Sequence, residues 1–265
     1  MAFYETEVNG LPLIKSSLIP MAHGFTSRRG GVSGGVYSSL NLRENCDDAR
    51  ENVAENYRRV AAALDFDLHK LVFTRQVHEN TVRYATPEDS RELFTPIDYS
   101  CDGLYTDIPG LPMVCFAADC VPVLFCDPAE NTAAAVHCGW RSTVQDILGV
   151  TVGKMVSLGS KPENIRAAIG PAIGACCFEV GEDVAEGLRL WLGAVAGEFL
   201  REREGKAGKY LADLRNADKY RLMSLGLREE NIDISPECTM CAPDKFWSHR
   251  VTQGVRGNQA AFIVI

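Results

Sequence analysis

The stretch "LPMVCFAADCVPVLFCDPAENTAAAVHCGWR" (111–141) decides how the chain is read. It holds two apolar runs interrupted by Ala-Asp-Cys, then a run of small apolar residues that ends in His-Cys-Gly-Trp-Arg. Short, nearly continuous apolar runs mark strands covered on both faces. The pattern predicts two strands within 111–127 and a third over 131–139, with Cys120 and His137 presented at strand ends. Neighbouring side chains on a strand face opposite sides, so Cys138 turns away from His137 and is expected to pack.

Outward from this centre, "TSRRGGVSGGVYSSLNL" (26–42) reads as a long structured loop. The segment 47–66 starts with an Asp N-cap candidate, and Val53, Tyr57, Val60 and Leu64 then recur at helical spacing. "KLVFTRQVH" (70–78) predicts a strand ending in a histidine. Downstream, a helix is expected after Trp140, over 142–159, with a C-cap at Gly159, followed over 164–180 by a strand, a Gly-Pro break and a short strand. Helices are expected over 181–202 and 210–227, and "NQAAFIVI" predicts a terminal strand. No repeat or linker divides residues 1–265, so one domain is expected. Strands and helices alternate without a strict βα rhythm, which indicates a layered α/β or α+β domain with mixed sheets rather than a barrel.

Composition narrows the partners. The 265 residues are 46% hydrophobic and 23% charged, ordinary globular values, with a net charge of −8. That charge argues against nucleic acid and against an anionic membrane surface. No apolar run approaches the roughly 20 residues that span a bilayer, and "MAFYETEVNG" has no basic n-region or apolar h-region. A cytoplasmic monomer or weak homo-oligomer is expected, its ten cysteines being reduced thiols or metal ligands.

Among five histidines, His78 closes "RQVH" and His137 opens "HCGW", while Cys120 closes "AADC". Three adjacent strands could bring them to one sheet edge. Two imidazoles and one thiolate suit Zn²⁺ and leave a fourth position for a water that ionises near neutral pH. The same residues also permit a Cys120 nucleophile with His137 as its base, and Arg141 would favour the thiolate. Local sequence leaves both chemistries open. "CTMC" (238–241) has CxxC spacing without a second pair at zinc spacing, so these cysteines are expected to be ordinary thiols, and the vicinal Cys176 and Cys177 are expected to be packing residues. "GGVSGG" lacks the lysine of a phosphate-binding loop. Arg28 and Arg29 are the better anion candidates there. Asp119 is expected to face away from Cys120, toward structural hydrogen bonds.

"HGFTSRRGGVSGGVYSSLNL", "QVH", "CDGLYTD", "AADCVPVLFCDP", "AAVHCGWR", "IGPAIGACCFEVG", "YLADL", "ECT" and "FWSHR" occur in this order from residue 23 to the C-terminus. In these motifs the chain resembles the YfiH-type laccase-domain family, whose members are described as polyphenol oxidases, purine nucleoside phosphorylases and peptidoglycan-editing factors. The resemblance implies a four-layer α/β/β/α sandwich with a nucleoside-sized pocket. It also implies zinc bound by His78, Cys120 and His137. The substrates it implies are phosphate with adenosine, inosine, guanosine or methylthioadenosine, and adenosine deamination is a further activity. Arg28, Asn41 and Arg250 would then line the cleft, with Arg59 and Arg141 as further candidates. Some positions depart from the family pattern. Its helical Glu-Asn-Arg is Glu55-Asn56-Tyr57, which leaves Arg58 or Arg59 as replacements; Arg43 follows "SLNL" where a glycine is usual, His249 replaces a tyrosine, and the terminal Gly-Arg is Gly257-Asn258. The metal set is intact and the anion-binding set is altered.

Five histidines cannot supply the trinuclear copper cluster of a true laccase. Copper fits the same His₂Cys ligands, so polyphenol oxidation is expected only as a side activity. A cysteine- or metal-dependent amidase acting on peptidoglycan is the alternative.

Overall fold

A computed structural model describes residues 3–265. Two six-stranded mixed sheets form its centre. The first runs in the order β1 (Phe3–Val8), β2 (Leu11–Ser16), β3 (Ala22–Thr26), β15 (Gln259–Val264), β7 (Pro112–Ala117), β4 (Val72–Phe73). The second runs β14 (Ile232–Ile234), β10 (Arg166–Ile169), β8 (Val121–Asp127), β9 (Thr132–Cys138), β6 (Gly103–Thr106), β5 (Val82–Tyr84). Only the β4–β7, β5–β6 and β10–β14 pairs are parallel among these neighbours. The opening stretch therefore straddles both sheets. β7 belongs to the first and β8 to the second, and the Ala118-Asp119-Cys120 turn carries the chain between them.

Strand parity sorts the side chains into separate cores. Met113 and Cys115 of β7 meet Leu124 and Cys126 of β8 and Ala133 and Ala135 of β9 between the sheets. Val114 faces the other way, where Leu13 and Phe262 pack on Val53, Tyr57 and Val60 of helix α1 (Arg50–Leu64). Val121, Val123 and Phe125 of β8, with Ala134, Val136 and Cys138 of β9, pack on Ile147, Val152 and Met155 of α3 (Ile147–Ser157), Leu188 of α4 (Glu182–Leu192) and Leu222 of α6 (Leu214–Ser224). Each large apolar side chain buried this way contributes about 1.5–3 kcal/mol. Among the described residues no helix is long and apolar enough to cross a membrane.

Several element boundaries differ from the sequence expectation. The 47–66 helix begins only at Arg50, with Ala49 at its N-cap; the Asp48 carboxylate is engaged by Asn41 Nδ2 at 2.8 Å instead. The 70–78 strand ends at Phe73, because the Gln76 side chain donates to the Phe116 carbonyl and accepts its amide, replacing the ladder. The helix expected over 142–159 starts at Trp140 and splits into α2 (Trp140–Val144) and α3, since Asp146 adopts φ +64° and caps α3 through Gly149 N. Gly193, at φ +59°, ends α4, and α5 (Ala196–Phe199) follows a turn. Leu200–Glu202 and Tyr210–Ala212, expected to be helical, are β12 and β13, which join β11 (Glu179–Val180) in a third sheet.

Candidate metal centre

The antiparallel β6–β9–β8 register places the start of β6, the end of β9 and the start of β8 at one end of the second sheet. Asp102 immediately precedes β6, His137 lies near the end of β9, and Cys120 immediately precedes β8. His78 arrives from the loop after β4. Its backbone is left-handed, φ +62°, and is held there by Asp102, whose carboxylate accepts from Val77 N, His78 N and Glu79 N at 2.9, 2.9 and 3.1 Å. The same carboxylate meets His137 Nδ1 at 2.8 Å. That bond leaves His137 Nε2 free for the cluster.

One nitrogen from each histidine and the Cys120 sulfur lie within 4.8 Å of one another. The two imidazoles meet edge to face with centroids 4.8 Å apart, and Cys120 Sγ is 4.0 Å from His78 Nε2. Burial opposes the thiolate, but the charge and hydrogen bond of His137, with His78, bring the Cys120 thiol down to about 6. Burial likewise opposes the imidazolium, yet Cys120 and Asp102 raise His137 to about 9. Two imidazoles and a thiolate, one histidine oriented by a buried carboxylate, fit a divalent ion of the zinc class. Gly139 makes the cluster possible: a Cβ there would stand 2.8 Å from His78 Cδ2 and 3.5 Å from Cys120 Sγ. Cys138 lies on the opposite face, fully buried against the helices, and its thiol is pushed well up by burial.

The centre opens on a cavity of about 340 Å³. His78, Cys120 and Asp119 line its floor, and Trp140, Ile173, Phe178 and Leu214 its apolar walls. His249, Arg250 and Arg256 supply a polar, cationic side. Asp119, at φ +87°, sits in the turn rather than on a strand. Its carboxylate accepts from Thr239 Oγ1 (2.6 Å), Ser248 Oγ (3.0 Å) and Arg250 N (2.7 Å), the structural bonding expected of it.

The sequence candidates for substrate binding divide. Arg250 lines the cavity, its Nη1 donating to the Glu179 carbonyl at 2.9 Å. Arg141 stacks on Trp140, a cavity-wall residue, with 4.4 Å from guanidinium to ring centroid. Arg28 stands apart from the cavity, because its guanidinium is spent on the Ser38 and Pro243 carbonyls and on the Trp247 ring. Asn41 is fully buried and braces Asp48, Arg43 and Asn258. On α1, Arg59 pairs with Glu55 and donates to the carbonyl of Gly30 in the preceding loop, and Arg58 also pairs with Glu55. Tyr57 is buried, donates to the Leu42 carbonyl at 2.8 Å, and borders a separate cavity of about 330 Å³ with Arg43, Arg75 and Arg91.

Sequence reasoning missed Asp102 and Arg256. Asp102 stands in "CDGLYTD", a stretch recognised as a motif but given no chemistry. Arg256 lies two residues before Asn258 and lines the cavity. An arginine therefore faces the cavity from this segment although the terminal Gly-Arg is absent.

The family model described as multi-copper polyphenol oxidoreductase laccase matches residues 22–265. The chain belongs to that family. It is 39% identical over 254 residues to a purine nucleoside phosphorylase of Deinococcus radiodurans, covering 96% of this chain and 93% of that protein. It is 36% identical over 249 residues to the purine nucleoside phosphorylase YlmD of Geobacillus stearothermophilus, covering 91% and 88% of the two chains. The crystal structure of YfiH, a hypothetical protein of Bacillus licheniformis, superposes with a TM-score of 0.91 at 33% identity, covering 99% of this chain and 98% of that one. The mixed-sheet α/β fold is thus that of the solved YfiH structure.

Proposed function

We propose that this laccase-family member is a zinc-dependent purine nucleoside phosphorylase, with adenosine deamination as a second reaction of the same centre. The observation that carries the reading is that the His78–Cys120–His137 cluster, through His78 and Cys120, borders a cavity lined by Trp140, Phe178, Arg250 and Arg256. The names of its relatives point the same way.

A volume of about 340 Å³ is within the range of small-molecule sites. Trp140 and Phe178 offer faces to a purine, and Arg250 and Arg256 offer charge to phosphate. In phosphorolysis a phosphate oxygen bonds to C1′ of the ribose while the bond from C1′ to the base nitrogen breaks, and the purine leaves with a proton. The arginines hold the attacking anion and stabilise the oxocarbenium-like transition state. In deamination water adds at C6 of adenine and ammonia departs. Zinc held by His78, Cys120 and His137 would supply Lewis acidity and a water activated near neutral pH. Asp102 keeps His137 in the tautomer that presents Nε2.

Incubation with adenosine, with and without phosphate, separates the reactions. Phosphate-dependent release of adenine is expected, with inosine formed as the deamination product. No turnover of any purine nucleoside would remove the reading. The depressed Cys120 thiol beside His137 also suits a thiol nucleophile for an amide substrate. Full activity of metal-free protein would favour that second reading.

A further inference from the structure

Four cysteines outside the catalytic cleft converge on its outer wall. Cys176 and Cys177 stand in the loop between β10 and β11, and Cys238 and Cys241 in the loop after β14. β10 and β14 are parallel neighbours, so both loops leave the second sheet at the same end. An Ala172–Cys238 bridge extends the pairing into the loops. The vicinal pair thereby meets the CxxC pair across 64 residues of sequence, between Cys177 and Cys241. These are the thiols for which the sequence offered no second pair.

The four sulfurs lie within 4.8 Å of one another. Cys241 Sγ is 3.6 Å from Cys176 Sγ and 3.4 Å from Cys177 Sγ, and all four thiols are free. Thiolates about 2.3 Å from a tetrahedral zinc stand about 3.8 Å from each other, so the cluster already has the scale of one ion's ligand shell. Cys238 is buried, and its sulfur receives the Gly174 amide at 3.2 Å, an outer-shell bond of the kind that orients a thiolate ligand. Cys176 and Cys241 are exposed, which leaves the ion a way in.

We propose that Cys176, Cys177, Cys238 and Cys241 bind a structural zinc ion through four thiolates. Binding forms four Zn–S bonds and releases the thiol protons to solvent, with no change of oxidation state. Four protein ligands leave no open position, so the ion fixes structure rather than performing chemistry. What it fixes is the cleft. The first loop carries Ile173 and Phe178 of the cavity wall. The second carries Thr239, whose hydroxyl holds Asp119 next to Cys120. The zinc ties these two loops together and sets the width of the pocket.

Metal analysis of the full chain, supplied with zinc and freed of loosely bound metal, should give about two zinc ions per chain, one per site. The Cys238→Ser/Cys241→Ser double variant should lose about one equivalent, and His78→Ala should lose the other. After cobalt substitution, His78→Ala protein should keep the thiolate-to-cobalt charge-transfer bands of an all-sulfur tetrahedral site. A zinc-edge X-ray absorption spectrum of the unmodified protein needs no variant and should show a sulfur-dominated shell. Zinc lost in the cysteine variant but not in His78→Ala would support this site while removing metal from the proposed catalytic centre. A zinc content the cysteine substitutions leave unchanged overturns the proposal. So does a shell of nitrogen and oxygen with a single sulfur, or a disulfide among the four cysteines in anaerobically prepared protein.

Discussion

The Asp102 carboxylate receives three consecutive backbone amides and His137 Nδ1, and it has no exposed surface. One side chain thus turns the His78 loop and fixes the His137 tautomer. Asp102→Asn keeps the size but can accept with only one oxygen, and it removes the charge that favours a cationic centre. Zinc affinity should fall about 10–100-fold, measured by competition with a chromophoric chelator, while the circular dichroism spectrum keeps its native shape. Arg256 makes its point on the other side of the cavity. It lines the cavity beside Arg250 while its Nη1 donates to the Gly257 carbonyl at 3.0 Å, which makes it an anion candidate that the family pattern did not name. Arg256→Ala should raise KM for phosphate about 10–100-fold, the loss of one charged hydrogen bond. KM for phosphate unaltered at constant kcat would exclude it from phosphate binding.

At the scale of elements, the centre depends on how closely the β9–α2 junction approaches the His78 loop. Gly139 is the N-cap of α2 and has ordinary extended backbone, φ −73°, so its absent side chain matters through space rather than through strain. The obstacle to Gly139→Ala is the flexible ring of His78, which can swing away. The fold should survive and zinc affinity should drop about tenfold or more, because a displaced ligand loses its geometry. Thermal denaturation and metal competition on the same protein separate the two effects. Native affinity in Gly139→Ala would show that the close approach is not needed.

For the whole molecule, the C-terminal strand lies in the interior of the first sheet, between β3 and β7, and all six of its residues are buried. Removing residues 259–265 would open the sheet and strip Phe262 and Ile263 from two cores. The truncated chain should fail to fold, seen as loss of the near-ultraviolet dichroism and a flat denaturation curve. Stability against pH follows from the Cys120–His137 pair. Cys120, depressed to about 6, adds stability in full above the ordinary thiol range and loses it as pH falls through about 6. His137, raised to about 9, adds stability in full below about 6.5 and loses it as pH rises through about 9. Metal-free protein should therefore resist urea best between about pH 6 and 9, and Cys120→Ser should flatten the acid limb of that profile. By itself the sequence determined the buried strands β7, β8 and β9, because apolar runs and strand parity are properties of neighbouring residues. It determined by the same parity that Cys138 packs while His137 faces the other way. Residue chemistry singled out His78, Cys120 and His137 but left metal and nucleophile open. The family resemblance then pointed to zinc at that same set. The ends of helices and strands were less legible, since Gln76, Asp146 and the three-stranded sheet act through partners distant in sequence. Only the tertiary structure decided that Asp102 holds the centre together, that Arg256 rather than Arg28 or Arg59 faces the cavity, and that four scattered cysteines share one place. Each of these rests on which strands become neighbours, and pairing between distant segments leaves no local periodicity to read.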